Sequence, residues 1–165
     1  MESYEKSEGF FTNITSFLER LKFKYRKVEI SDESVIAVPW EINGLDFLVL
    51  IKEVSGHVVL RCGILLAKDI PGKFENQINK DLLLSNHDVS EIAFDIDKQN
   101  NIGCFKEFPN VMMDYAGEES GFNAFSYCIS SIKTSIQYFI EEIAPKYNLK
   151  VTGFPDMIKI IMNNP

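Results

Sequence analysis

An Asn43-Gly44 pair stands between Trp40-Glu41-Ile42 and Leu45-Asp46-Phe47, and few short strings constrain a chain more tightly. A two-residue hairpin loop needs positive φ at both central positions, which asparagine and glycine tolerate best. The strand leaving this turn, Leu45 to Lys52, is apolar on nearly both faces. Leu45, Phe47, Val49 and Ile51 fall on one side, Leu48 and Leu50 on the other. A strand of that kind belongs inside a sheet covered on both faces, at least in part.

The neighbouring segments extend the sheet. Ser55-Gly56 makes the next turn, and Val58 to Leu66 returns as a third strand, completing a meander opened by Val35-Ile36-Ala37-Val38. Pro39 cannot donate to a ladder, which places the opening strand at an edge. Glu91 to Asp97 alternates, turning Ile92, Phe94 and Ile96 toward a core. Lys98 to Asn101 reads as a polar turn, and Ile102 to Phe108 as a fifth strand stopped by Pro109.

Helical periodicity frames these strands. Phe10, Ile14, Phe17, Leu18 and Leu21 share one face of a first helix that should end near Tyr25. Pro71 suits an early helical position, and Phe74, Ile78 and Leu82 carry a second helix to about Asn86. Asn110 to Gly121 reads as a loop. A long helix then carries Phe125, Cys128, Ile129, Ile132, Ile136, Phe139, Ile140 and Ile143, and Pro145 should end it. Phe154, Met157, Ile158 and Ile161 imply a short docked helix in the tail. The expected fold is α+β, an antiparallel five-stranded sheet in the order α-βββ-α-ββ-α with a short C-terminal helix. It forms a single domain over 1–165, with a core at about 10–144 and an extension at about 146–165.

A chain of 165 residues can bury a core without disulfides or metal, and 45% hydrophobic with 25% charged residues excludes wholesale disorder. A net charge of −7 argues against a nucleic-acid partner, since phosphate backbones attract clustered lysine and arginine. The densest basic run, Lys22, Lys24, Arg26 and Lys27, reads as cations at the end of the first helix. The opening residues lack the pattern of a signal peptide, and the longest apolar runs, such as Phe47–Ile51, are too short to cross a membrane. A cytoplasmic protein without membrane contact is the expectation.

Reactive constellations are sparse. Cys62, Cys104 and Cys128 are far apart and lie in apolar patterns, as buried inert thiols do. His57 follows a turn glycine and His87 follows a helix, without metal-ligand spacing. Asp95-Ile96-Asp97 begins like a calcium loop, but Asn100 stands where glycine is required and Lys106 where glutamate is. Glu118-Glu119 and Glu141-Glu142 have no companion group for acid–base work. The expectation is a non-enzymatic protein with no cofactor and no metal.

The Trp40–Lys52 hairpin, the Val58–Ala67 strand, the Pro71–Asn86 helix, the Glu91–Phe108 hairpin and the Phe122–Ala144 helix follow one another in a familiar order. That order resembles the fold of type III secretion chaperones and of the related YbjN-type bacterial proteins. The resemblance covers about residues 10 to 144 and implies a regulator or a chaperone, the regulator being favoured. It also implies a homodimer, and an apolar surface that holds an extended stretch of another protein.

The sheet itself points the same way. The first and long helices should cover one face, leaving Leu48, Leu50, Val59, Ala93 and Phe105 on the other. A contiguous apolar patch tends to mark an interface, so Leu48, Leu50, Val59 and Phe105 are the candidate protein-binding residues, for a second copy or a peptide. The alternative is that the second helix and the tail cover this face within the chain. A different class of function, a small-ligand-binding domain or enzyme, would need a pocket between the sheet and the second helix.

Overall fold

A computed structural model of the chain describes residues 2–89, 91–96, 101–110, 112 and 118–163, with side chains from residue 9 onward. Helix α1 (Glu2–Arg20) is followed by four strands, β1 (Arg26–Ile30), β2 (Glu33–Ile42), β3 (Leu45–Val54) and β4 (His57–Gly63). A two-residue strand, β5 (Leu65–Leu66), leads to helix α2 (Gly72–Asp88), strands β6 (Phe94–Ile96) and β7 (Ile102–Pro109), and helix α3 (Glu118–Tyr138). The chain closes with strand β8 (Val151–Thr152) and helix α4 (Pro155–Asn163). The main sheet has six antiparallel strands in the order β1-β2-β3-β4-β7-β6, and β5 pairs with β8 in a second, two-stranded sheet.

The α+β class and the C-terminal helix are as expected, but the sheet has a sixth strand. Arg26–Ile30 pairs with Glu33–Ala37 across a Ser31-Asp32 turn. All three turns of the meander use the same geometry: φ is 52° and 64° at Ser31 and Asp32, 52° and 74° at Asn43 and Gly44, and 50° and 80° at Ser55 and Gly56. Each is a two-residue loop with both residues left-handed, the twist that matches flanking strands. Helix α1 therefore ends at Arg20, not near Tyr25, and the basic run beyond it splits between a loop and an edge strand.

Pro39 does not lie in an edge strand, since β2 is second from the edge. Ile42 and Leu45 flank the Asn43-Gly44 loop and exchange hydrogen bonds, so by alternation Pro39 turns its nitrogen away from β3. On that side β1 has already ended, at Arg26 opposite Ala37. The missing donor costs the ladder nothing.

One face of the sheet carries Ile36, Val38, Phe47, Val49, Ile51, Val58, Leu60, Cys62 and Cys104, all with no exposed surface. Against it pack Phe10, Ile14, Phe17 and Leu18 of α1 and Phe125, Cys128, Ile129, Ile132 and Ile136 of α3. Phe17 joins the two helices, its ring 5.6 Å from Phe122 and 5.8 Å from Phe125. Phe17, Phe47, Phe125 and Phe139 are fully buried, which stabilises the fold by about 1.5–3 kcal/mol apiece. Helix α2 adds Ile78 and Leu82 beside β6.

Pro145 does not stop the long helix. After Tyr138 the chain widens into a π-turn (Phe139–Ile143), in which the Ala144 N–H donates to the Phe139 carbonyl, and one more helical turn runs through Pro145 to Lys146. Proline cannot donate to the residue four back and its ring clashes with that carbonyl. The wider turn moves the carbonyls aside. At the far edge of the sheet, the Asn86 side chain accepts from the Phe94 N–H at 2.7 Å and donates to the Phe94 carbonyl at 2.9 Å. Of the expected Lys98–Asn101 turn, 98–100 lie outside the described residues, as do 111 and 113–117 of the expected Asn110–Gly121 loop; its last four residues are already helical, since α3 begins at Glu118.

Candidate functional site

The second face of the sheet is built from the alternate residues of the same strands. The register sets them in rows across the strands. Pro39, Leu48, Gly63 and Gly103 make one row. Arg26, Ala37, Leu50, Arg61 and Phe105 make the next, then Val28, Val35, Lys52, Val59 and Glu107, and finally Ile30, Glu33, Val54 and His57.

The tail covers one end of this face. β8 ties it to β5, with the Ala67 N–H donating to the Lys150 carbonyl at 2.9 Å. Gly153 then passes so close to β3 that a Cβ there would stand 2.5 Å from the Asp46 oxygen, and the Phe154 N–H donates to that oxygen at 2.7 Å. The Phe154 ring lies against the bare backbone at Gly63. Helix α4 continues across β3 to β1, where the Arg26 guanidinium donates to the carbonyls of Ile161 at 3.1 Å and Met162 at 2.8 Å. An arginine on the last carbonyls of a helix both satisfies them and complements the dipole.

The other end is open. There the face forms an apolar trough of about 780 Å³, floored by Val35, Leu50, Val59 and Phe105, with Ile30 and Val54 at one rim. Four of its charged groups pair with one another, Lys52 with Glu33 at 2.7 Å and Arg61 with Asp95 at 2.9 Å. All are partly exposed, so each pair adds at most about 1 kcal/mol. Gly103 leaves room for Asp95, whose Oδ1 would lie 2.5 Å from an added Cβ.

Of the four candidate residues, Leu50, Val59 and Phe105 therefore come together in the trough. Leu48 lies in the row toward the tail and is only 6% exposed. Ala93, half-buried, accepts the Phe105 N–H through its carbonyl. Sequence reasoning missed Val35, whose strand Pro39 points to an edge, and Arg26, which reads as part of a helix end.

Other chemistry is held in structural roles. Burial pushes the Cys62 thiol up to about 12 and Cys128 to about 11, and raises Cys104 well above the ordinary thiol range. The Lys146 ammonium, followed by the Tyr147 hydroxyl, holds the Asp81 carboxyl below its usual range. This cluster ties α2 to the end of the long helix, with Tyr147 donating to Asp81 at 2.7 Å. Glu118 and Glu119 face Arg20 at 3.7 and 3.0 Å, and Glu141 accepts from Asn43 at 3.1 Å. His87 lies 3.0 Å from Asp88 on the surface, while His57 borders the trough. Among the described residues no group of three or more His, Cys, Asp or Glu side chains is placed to hold a metal ion. No described helix is long and apolar enough to cross a membrane.

A cleft does exist between the sheet and α2. It holds about 290 Å³ and is lined by Ile64, Leu65, Leu66 and Ile70 with Lys68, Asp69, Glu75, Asn79 and Asn101. That volume is at the lower limit for a small-molecule site. In comparisons with known proteins, the chain matches no protein-family model and no curated protein.

Proposed function

We propose that this chain is a non-enzymatic protein-interaction module whose contact surface is the open trough of the sheet. The observation that carries this reading is the trough itself, an apolar surface flanked by the Lys52–Glu33 and Arg61–Asp95 ion pairs. A contiguous apolar concavity on a sheet face favours a partner that covers it. Its partner is a protein surface or peptide, a second copy included, with no part for nucleic acid or membrane. The cellular role is that of a cytoplasmic regulator or chaperone, as in the YbjN-type and secretion-chaperone-like proteins that the order of elements resembles. A second reading, a small-ligand or enzyme site, draws on the cleft beside α2.

Leu50→Asp tests the first reading. Leu50 is half-buried in the trough floor, so the variant should fold while losing its partners. Tagged wild type and variant are compared in a native lysate by quantitative mass spectrometry, with untagged copies of the chain present. Proteins held by wild type and released by the folded variant support the trough. Identical captures overturn it, and a thermal-shift screen of small molecules against Lys68 and Glu75 variants then tests the cleft.

A further inference from the structure

Helix α4 has two apolar stripes, and the sheet uses only one. Ile158, Ile161 and Met162 recur at the spacing of one helical face and are half-buried, while Arg26 anchors the carbonyl end above β1. Met157 and Ile160 form a second stripe, 47% and 62% exposed. A helix apolar on more than one side is normally covered on more than one side. The same face of the molecule therefore presents an exposed apolar ridge and an apolar trough, whose exposed surface comes from Ile30 and Val54 at the rim and from half-buried Leu50 and Phe105, while Val35 and Val59 beneath are nearly buried.

The dimensions agree. Along β3 the trough runs from Leu50 to Val54, four residues or about 13 Å, close to the ~10–12 Å diameter of one helix. Across the sheet, six strands at ~4.8 Å spacing span about 24 Å, and the ten residues of β3 about 34 Å. The trough alone, about 13 Å by 24 Å, covers about 300 Å², and the ridge seated in the partner's trough adds as much again, so each copy would give about 600 Å², the lower end of what a stable interface takes from each partner. The rim has three carboxylates (Glu33, Asp95, Glu107) to two cations (Lys52, Arg61), and Lys159, which faces Asp156 one turn back at 3.7 Å, adjoins Ile160 on the ridge.

We infer that the occupant of the trough is helix α4 of a second copy of this chain. This inference rests on the trough being the contact surface. A ridge and a trough on one face are self-complementary under twofold rotation, so each copy inserts its Met157–Ile160 stripe into the trough of the other. Each site is incomplete without the partner's helix.

Sedimentation equilibrium at tens of micromolar tests it, with Ile160→Lys on the ridge and Leu50→Asp in the trough. Wild type should have twice the 18.9 kDa of one chain, and each variant alone should lose the dimer. An equimolar mixture of the two should recover a heterodimer, because one ridge–trough contact stays native and the other gains a Lys–Asp pair. Should Leu50→Asp fail to fold, Val54→Asp, at an exposed rim position, replaces it. A monomeric wild type overturns the inference and leaves the trough to the lysate experiment. A dimer that survives Ile160→Lys also overturns it, and if that dimer is lost in Leu50→Asp the trough stands with a different occupant.

Discussion

Gly153→Ala should loosen the tail from the sheet while leaving the rest of the core in place. The added methyl would stand 2.5 Å from the Asp46 oxygen, 2.7 Å from its nitrogen and 3.2 Å from its carbonyl carbon. All three are backbone atoms of β3, so no side chain can swing aside. The backbone at Gly153 is not at positive φ, which leaves the clash as the only cost of the substitution. Forcing one methyl into a packed site costs about 1–3 kcal/mol. Losing the Phe154 N–H bond to Asp46 adds about 0.5–1.5 kcal/mol. The sum, about 1.5–4.5 kcal/mol, corresponds to roughly 3–18 °C in a chain of this length. The chain escapes most cheaply by lifting 153–163 away, so trypsin should cut sooner after Lys150 and Lys159. Gly72→Ala is the control, because nothing lies within 4 Å of its added Cβ, and it should be neutral or stabilising by up to about 1 kcal/mol. A Gly153→Ala protein with an unchanged urea midpoint and an unchanged tryptic pattern would refute this account of how the tail is seated.

Two further outcomes are expected. Because the folded Asp81 carboxyl lies below its usual range, its contribution to stability is complete above the unfolded value of about 3.9 and is lost as pH falls through the folded one. Asp81→Asn should therefore lower the urea midpoint at pH 6 and flatten its decline below pH 4; parallel curves for the two proteins would contradict this. The three cysteine thiols are buried and raised by that burial, so an aromatic disulfide reagent at pH 8 should titrate none of them quickly in the native protein and all three in urea. Rapid colour from native protein would mean that a thiol is accessible.

How much could be read from the sequence follows from how local each signal was. Asn43-Gly44 and Ser55-Gly56 announced their hairpins because glycine marks positive φ. Ser31-Asp32 makes the same turn without glycine, and Arg26-Lys27-Val28-Glu29-Ile30 hid its alternation among charges, so β1 was lost. The buried stripe of α3 was legible from period alone, whereas its passage through Pro145 depends on a π-turn that no single residue announces. Three of the four trough residues were found because strand parity is a local property. The seating of the tail on this face was not, since it depends on Gly153 and Phe154 meeting Asp46 and on Arg26 meeting the end of α4, far apart in sequence and joined only by the fold.

Asn86 has a consequence for the company this sheet can keep. Its amide occupies both outward backbone groups of Phe94, doing at one edge what a seventh strand would do. At the opposite edge, pairing of Ile30, Val28 and Arg26 inward leaves only Lys27 and Glu29 with outward backbone groups, in a strand of five residues. Short, charged or capped margins are how sheets avoid adding foreign strands and growing into aggregates. Among the described residues, the two margins of the main sheet therefore offer an incoming strand little to pair with, which turns any partner toward the face and gives fibril-like stacking a poor foothold.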